Sequence, residues 1–258
     1  MENDTNRKYK CIFCLKDDVP FNRTEHIIPE SLGNDELIVE KGFVCDECNS
    51  YFGVKVEKDA LNYPPLITSR MGAAVKTKKR RLPQVKYGDM TFFSTGYLDQ
   101  VGMLGPLTEI EKIQQTGMYI VNEPLQSSLS MARLLLKMGL EFLTLSTRSP
   151  YEACFDEARS FSRYAPKGRS WEFATHSQVA SRESLIISTR FDDDRGTVSH
   201  ALFEPSLMVN QHNQEVAHCF VYRTHGFIIN LSNPLIDDTL KYAYTSSGNM
   251  LYKVVVKS

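Results

Sequence analysis

The pattern of apolar positions predicts one strongly apolar helix in the middle of the chain. The segment "QSSLSMARLLLKMGLEFLTLS" places a row of apolar residues on one helical face, and the serines before it can cap the helix. These apolar residues are Leu129, Ala132, Leu136, Leu140 and Leu143. The segment "SPYEACFDEARSFSRYA" is predicted to form a second helix, entered through Ser149 and Pro150.

Most of the chain after these helices has the pattern of short strands. The segments are "SLIISTR", "HALFEPSLMV", "VAHCFVY", "FIINLS" and "LYKVVV". The stretch "CFVYRTHGFIINL" is predicted to form a hairpin with Gly226 in its turn. Helices grouped before a set of antiparallel strands predict an α+β domain.

The first quarter of the chain has a different pattern. "TEHIIP" predicts a short strand closed by Pro29, because proline cannot sit inside a sheet ladder. "FVCDECNSYFGVKVEKDALNY" predicts a helix that buries Cys48, Phe52 and Val56 and that Pro64 and Pro65 stop. We therefore expect a small module at 1–65, a linker or exposed arm at 66–86, and a larger α+β domain at 87–258.

Composition is that of an ordinary globular protein, and it argues against a membrane protein. Of the 258 residues, 42% are hydrophobic and 24% are charged. No apolar run approaches the ~18 residues that a membrane helix needs. The first ten residues, "MENDTNRKYK", are polar and unlike a secretory signal. We expect a cytoplasmic protein with no membrane partner.

The net charge of −1 hides a local asymmetry. Residues 1–69 hold 8 Lys and Arg against 13 Asp and Glu, a balance of −5, whereas residues 70–86 hold 7 basic residues and no acidic one. This basic strip is either a segment that binds the phosphate backbone of a nucleic acid or a solvated linker. The residues expected to contact nucleic acid are Lys76, Lys78, Lys79, Arg80, Arg81 and Lys86.

Four of the six cysteines form two Cys-x-x-Cys pairs, and they predict a structural zinc site. Cys11 and Cys14 precede Cys45 and Cys48 by about thirty residues, which is the spacing of two facing zinc knuckles. Four thiolate ligands leave no coordination position for water or substrate. The zinc is therefore expected to hold the module together, because the apolar core of the module is too small to do so alone.

Between the two cysteine pairs lies the one histidine of the first 175 residues, His26. Neutral imidazole is suited to removing a proton from water. The oxygens of Glu25 and Asn49 are of the kind that Mg²⁺ or Mn²⁺ prefers. Glu57 is either a further polar group of this site or a solvated helix residue.

Taken together, "C-x-x-C … EHIIPESLG … VCDECNSYFG" resembles an HNH endonuclease of the ββα-metal fold, in the subgroup stapled by a zinc ribbon. The resemblance covers about residues 8 to 60. It implies that His26 is the general base and that Glu25 and Asn49 hold the catalytic ion. The family more often has Asp or His where this chain has Glu25. Asn34 and Glu40 are both candidates for the middle residue of the motif, which braces the loop.

The resulting hypothesis is a zinc-stapled nuclease module followed by an α+β domain for targeting, dimerisation or control. The module would hydrolyse phosphodiester bonds of DNA by a one-metal mechanism. A homodimer would supply two sites for cutting both strands, and the resemblance implies a role in restriction or phage defence. Two alternatives stay open: a non-catalytic zinc-ribbon module that binds nucleic acid or protein, and a nuclease that cleaves RNA.

Overall fold

The computed structural model describes residues 9–76, 80–98, 100–116, 126–177, 189–192, 197–200, 203–223, 225–236 and 252–257. Helices and antiparallel sheets are both present, which confirms the predicted α+β class. In these ranges no helix is both long and apolar enough to cross a bilayer.

The N-terminal module, residues 9–63, contains a very short hairpin and one interrupted helix. Strand β1 (Glu25–His26) pairs antiparallel with β2 (Ile38–Val39). Helix α1 (Asp46–Phe52) continues through a π turn (Gly53–Glu57) into α2 (Lys58–Ala60). The side chains of Cys48, Phe52 and Val56 are fully buried, as their spacing predicts.

The segment after the module is structured at its start, which differs from the expected linker over 66–86. Pro64 and Pro65 do not merely stop one helix, because they begin the next, α3 (Pro64–Gly72). Proline is well suited to the first turn of a helix, where its missing N–H costs nothing. Leu66, Ile67 and Met71 of α3 are buried. A three-stranded antiparallel sheet follows, formed by β3 (Gln84–Tyr87), β4 (Met90–Ser94) and β5 (Val101–Leu104).

The remaining part of the chain packs a five-stranded sheet against a central helix. Helix α4 (Leu107–Thr116) precedes α5 (Gln126–Phe142), the predicted apolar helix, and α6 (Asp156–Tyr164). The strands are β6 (Ser170–Ser177), β7 (Thr189–Asp192), β8 (Thr197–His200), β9 (Phe203–Val209), β10 (Val216–Tyr222), β11 (His225–Asn230) and β12 (Tyr252–Lys257). The sheet order is β12-β6-β11-β10-β9, and β7 pairs with β8.

Two local predictions are wrong. Gly226 does not form the turn of the β10–β11 hairpin, because it lies in β11 opposite Val221. The reversal instead includes Arg223, whose φ of 53° is in the left-handed region. Helix α6 begins at Asp156 rather than at Ser149 and Pro150, and a 3₁₀ turn (Ala153–Phe155) leads into it.

Helix α5 lies between the N-terminal module and the five-stranded sheet. It contacts α2 and the π turn on one side and strands β6 and β9 to β12 on the other. One hydrophobic cluster accordingly contains buried residues of the module, of α5 and of the sheet. Gly139 allows the close approach of α5 to the sheet, since a Cβ there would come within 2.7 Å of His218 Cβ. The module and the larger part of the chain therefore share a core.

His218 of β10 is buried beneath α5, and among the described residues one of its ring nitrogens has no partner. Its Nδ1 lies 3.1 Å from the carbonyl oxygen of Leu135, which can only accept, so Nδ1 carries the proton. Nε2 is buried and makes no hydrogen bond to the described residues. Burial lowers the pKa of His218 from 6.5 to about 4, although its hydrogen bond to Leu135 opposes this shift. The ring is therefore neutral in the folded protein at neutral pH.

We expect His218 to make the protein less stable at mildly acidic pH. The pKa of His218 is lower in the folded protein than in the unfolded one. The contribution of this residue to the free energy of unfolding is therefore complete above about pH 6.5 and is lost as the pH falls towards 4. Between pH 7 and pH 5 this loss amounts to about 2 kcal/mol. Urea unfolding at both pH values should show a smaller loss in His218→Gln than in the wild type. Equal losses in both proteins would contradict the assignment, and exposed His212→Gln is the matched control.

Candidate active site

The four cysteines converge on one point of the N-terminal module. Their sulfur atoms all lie within 4.8 Å of one another, and the Sγ atoms of Cys14 and Cys45 are 3.7 Å apart. Tetrahedral zinc with Zn–S bonds of ~2.3 Å holds its sulfur ligands about 3.8 Å apart. Cys11, Cys14, Cys45 and Cys48 could thus hold a zinc ion. In the described part of the chain, no other group of three or more His, Cys, Asp or Glu side chains is similarly placed.

The loop between β1 and β2 is held by Asn34. Its side chain is only 2% exposed, its Nδ2 donates to the carbonyl oxygens of Ile28 and Leu37, and its Oδ1 accepts from the backbone N–H groups of Glu36 and Leu37. Glu40, the other candidate for the middle motif residue, is exposed. The hydrogen bonds of Asn34 are those expected of the residue that braces this loop. Gly33, with φ of 89°, makes the adjacent reversal.

A hydrogen bond joins the helix that carries Asn49 to the strand that carries Glu25 and His26. Asn49 Nδ2 donates to the backbone oxygen of Thr24 at 2.9 Å. Because that oxygen can only accept, the amide nitrogen must face it, and Asn49 Oδ1 is the atom left for another partner. Helix α1 therefore places the amide group of Asn49 beside the residue that immediately precedes Glu25.

The imidazole of His26 is accessible to solvent. Its side chain is 20% exposed, and its Nδ1 lies 3.6 Å from Oε1 of Glu30, which is four residues later in the sequence. A carboxylate beside Nδ1 favours the tautomer that keeps the proton there, which leaves Nε2 able to accept one. Sequence reasoning did not single out Glu30, although its i,i+4 spacing from His26 was visible.

Glu25 is largely buried and contacts a lysine from α5. Lys137 Nζ lies 2.6 Å from Glu25 Oε1, and the lysine side chain is 0% exposed. Burial raises the pKa of Glu25, while the Lys137 ammonium opposes that rise. Among the described residues, no hydrogen bond or ion pair involves the second carboxylate oxygen, Oε2. One oxygen of Glu25 is thus fixed by Lys137, and the other is available to a ligand.

Lys137 is also surrounded by further acceptors. Its ammonium lies 2.9 Å from Glu141 Oε2 and 3.5 Å from Glu57 Oε1, and it donates to the backbone oxygen of His26 at 3.1 Å. Burial disfavours the ammonium, but the carboxylates outweigh burial and raise the pKa of Lys137. Burial raises the pKa of Glu141 well above its usual range, and Glu141 Oε1 has no partner among the described residues.

The π turn of the first helix positions Glu57 in this cluster. Asn49 and Glu57 are eight residues apart, which in a regular α-helix would turn their side chains about 80° away from each other. A π turn takes up roughly one extra residue and brings the two positions back onto one face. Both residues line the same cleft. Glu57 thus lines the cleft beside Asn49 and lies near Lys137.

The cleft has a volume of about 1010 Å³ and separates the first helix from α3 and the start of β3. Its lining includes Asn49, Ser50 and Glu57 on one wall and Arg70 and Arg81 on the other. Arg81 is one of the residues expected to contact nucleic acid, and it is exposed. Three more of them lie in the described part of the chain and are also exposed: Lys76, Arg80 and Lys86. Lys78 and Lys79 lie outside the described residues. The basic strip therefore borders the cleft through Arg81.

Replacing Lys137 with methionine is expected to destabilise the protein by about 3–5 kcal/mol at pH 7, because Glu25 and Glu141 would remain buried without their cation. Urea unfolding measures this change. Lys55→Met, at an exposed position of the π turn, should change the free energy of unfolding by less than about 0.5 kcal/mol. If the free energy of unfolding changed as little in Lys137→Met as in Lys55→Met, the ion-pair cluster would not exist in solution.

Comparison with known proteins agrees with this geometry. No curated protein and no solved structure matches the chain. The family model described as HNH endonuclease matches residues 11–63. The matched segment contains all four cysteines, the β1–β2 hairpin and the interrupted helix. Its boundaries lie within about three residues of the segment, about residues 8 to 60, whose sequence resembles that family. Residues 11–63 are therefore an HNH endonuclease domain, and the nuclease activity of that family is what this domain indicates.

Proposed function

We propose that the protein is a metal-dependent DNA endonuclease that hydrolyses phosphodiester bonds with His26 as the general base. The observation that carries the proposal is the hydrogen bond from Asn49 to Thr24, which brings the helix beside the strand of Glu25 and His26. This contact lies inside the segment that matches the HNH endonuclease family. Three residue types suited to phosphodiester hydrolysis are thus held by one hairpin and one helix.

His26 would take a proton from the attacking water at Nε2. Glu30 supports this role because it lies beside Nδ1 and favours the proton there. The side chain of His26 is 20% exposed, so water can reach the ring. General base catalysis of this kind contributes roughly 10²- to 10⁴-fold to a rate.

Glu25 and Asn49 would hold the catalytic Mg²⁺ or Mn²⁺. Glu25 Oε2 and Asn49 Oδ1 are hard oxygen ligands, which suit these ions. The other polar atom of each side chain is already engaged, Glu25 Oε1 by Lys137 and Asn49 Nδ2 by Thr24. When bound, the cation supplies positive charge that stabilises the phosphate and the leaving oxygen. Lys137 would hold Glu25 in one orientation, and Asn34 would keep the hairpin loop in place.

The wider setting of the activity is also part of the proposal. A site with one metal cuts one strand at a time, so a homodimer would supply the second site for a double-strand break. The four thiolates of a zinc site suit the reducing cytoplasm. Restriction or phage defence is the role that the family resemblance implies, with the residues after the HNH domain serving for targeting, dimerisation or control.

The experiment is a cleavage assay on supercoiled plasmid with Mg²⁺, Mn²⁺ or EDTA, beside labelled DNA and RNA duplexes of one sequence. We expect nicked and linear plasmid with either metal and intact plasmid in EDTA, with the activity eluting together with the protein in size-exclusion chromatography. Cleavage of the RNA duplex without cleavage of the DNA duplex would show that RNA, and not DNA, is the substrate. Binding to nucleic acid without any cleavage would favour a non-catalytic zinc-ribbon module.

A further inference from the structure

The cleft beside Asn49 contains an arginine whose charge is almost unsatisfied by the described residues. Arg70 lies in the last turn of α3, is only 5% exposed and lines the cleft. Its Nε donates to the backbone oxygen of Ser31 at 2.7 Å. To the described residues it makes no other hydrogen bond and no ion pair. A guanidinium group has five N–H donors, and this single bond uses one of them.

The other buried arginines of the described residues are much better compensated. Arg133 donates to three acceptors, and Arg159 and Arg163 each form an ion pair with a carboxylate. Burial lowers the pKa of Arg70, and the group that opposes this shift is Tyr222 rather than a carboxylate. Arginine nevertheless remains charged in proteins. A buried cation without a counter-charge is unfavourable, and such a group is expected to have a partner that is an anion.

The position of Arg70 connects it to the active site. Ser31, its backbone partner, belongs to the 3₁₀ turn Glu30–Leu32, next to the carboxylate that lies beside His26. The bond to Ser31 fixes the orientation of the guanidinium plane. Its two Nη groups remain available, in the planar arrangement that matches two oxygens of a phosphate.

The charges around the cleft indicate the class of anion. Arg23, Lys58, Arg70 and Arg81 line it, and the acidic side chain of Glu57 is engaged by Lys137. Four cations spread along one cleft suit a chain of phosphates better than a single small anion. Asn49 lines the same cleft. A strand that runs through the cleft would therefore pass the residues proposed to cleave it.

We propose that Arg70 is a phosphate-binding residue that grips the substrate strand next to the phosphodiester to be cut. This inference deepens the proposed function and depends on it. It assigns a role in substrate binding to a residue that lies beyond the segment matching the HNH family. It also gives the helix α3 a purpose: it buries an arginine against the hairpin loop and presents the guanidinium to the cleft.

The test is binding of a fluorescent DNA duplex in buffer without Mg²⁺ or Mn²⁺ and without a chelator that would remove zinc, followed by anisotropy at several salt concentrations. Proteins carrying His26→Ala, alone or together with Arg70→Met, Arg70→Lys or Arg148→Gln, are compared. We expect Arg70→Met to bind about tenfold more weakly and to lower the slope of log K against log salt by about one. Arg70→Lys should also bind more weakly, because it keeps the charge but not the planar fork. Arg148→Gln, which removes an arginine paired with Glu152, should bind as its parent does.

Thermal unfolding separates a binding role from a structural one. Arg70→Met should unfold at the temperature of its parent or above it, because the substitution removes a buried charge without a counter-ion. Duplex DNA should stabilise the parent more than Arg70→Met. Equal affinity and equal salt slopes in Arg70→Met would overturn the inference and leave the proposed nuclease intact. Absence of both binding and cleavage in the wild type would overturn the proposed function itself.

Discussion

Replacing His26 with alanine is expected to slow plasmid cleavage by about 10²- to 10⁴-fold, because the substitution removes the group that we propose takes the proton from water. The fold should survive the change. The side chain of His26 is partly exposed, and the contact with Lys137 is made by the backbone oxygen of residue 26, which alanine retains. The measurement is the initial rate of nicking in Mg²⁺ and in Mn²⁺, at matched protein concentrations.

Two controls make this prediction specific. His212→Ala removes an exposed histidine and should cleave plasmid at the wild-type rate. His26→Ala should retain the zinc content and the midpoint of urea unfolding of the wild type, which would exclude loss of structure as the cause of a slow rate. Cleavage by folded His26→Ala at more than about one-tenth of the wild-type rate would show that another group acts as the base.

The second large effect concerns the zinc site. Replacing Cys45 with serine is expected to abolish zinc binding and to unfold the N-terminal module, because structural zinc in small domains contributes roughly 10–16 kcal/mol of apparent binding free energy. The effect should spread further, since the buried residues of the module share one hydrophobic cluster with α5 and the sheet. Elemental analysis should find one zinc per wild-type chain, and circular dichroism should report the loss of structure in Cys45→Ser.

Cys154→Ser is the matched control, since Cys154 is exposed and lies outside the four-cysteine group. It should bind zinc and unfold as the wild type does. A Cys45→Ser protein that keeps full zinc content and native stability would mean that the sulfur cluster is not a metal site.

The parts of the structure that sequence could predict are those that local pattern determines. Two Cys-x-x-Cys pairs predict which cysteines could hold a zinc ion, since the spacing within each pair is set by a knuckle. The apolar repeat of α5 and the alternation of β10 and β11 result directly from helical and strand periodicity. The bracing role of Asn34 was one of two possibilities, and only the hydrogen bonds of its side chain distinguish it from Glu40.

The parts that sequence missed depend on contacts between distant segments. Lys137 and Glu25 are 112 positions apart in the sequence, and no local pattern joins them. A signal was nevertheless present, because Lys137 and Glu141 are charged residues at i,i+4 spacing in a mostly apolar helix whose residues 130–141 are all buried. The position of Pro64 and Pro65 after a helical pattern predicts that they stop a helix, although proline is equally suited to beginning one.

The contact between Lys137 and Glu25 limits how freely the HNH segment can be moved to another protein. A fusion that transplants only residues 11–63 would carry the histidine, the asparagine and the cysteines, but it would leave behind the ammonium that balances Glu25. Such a chimera would leave Glu25 as an uncompensated acid. An engineer who wishes to reuse this HNH segment elsewhere must therefore bring helix α5 with it or supply an equivalent cation from the new host.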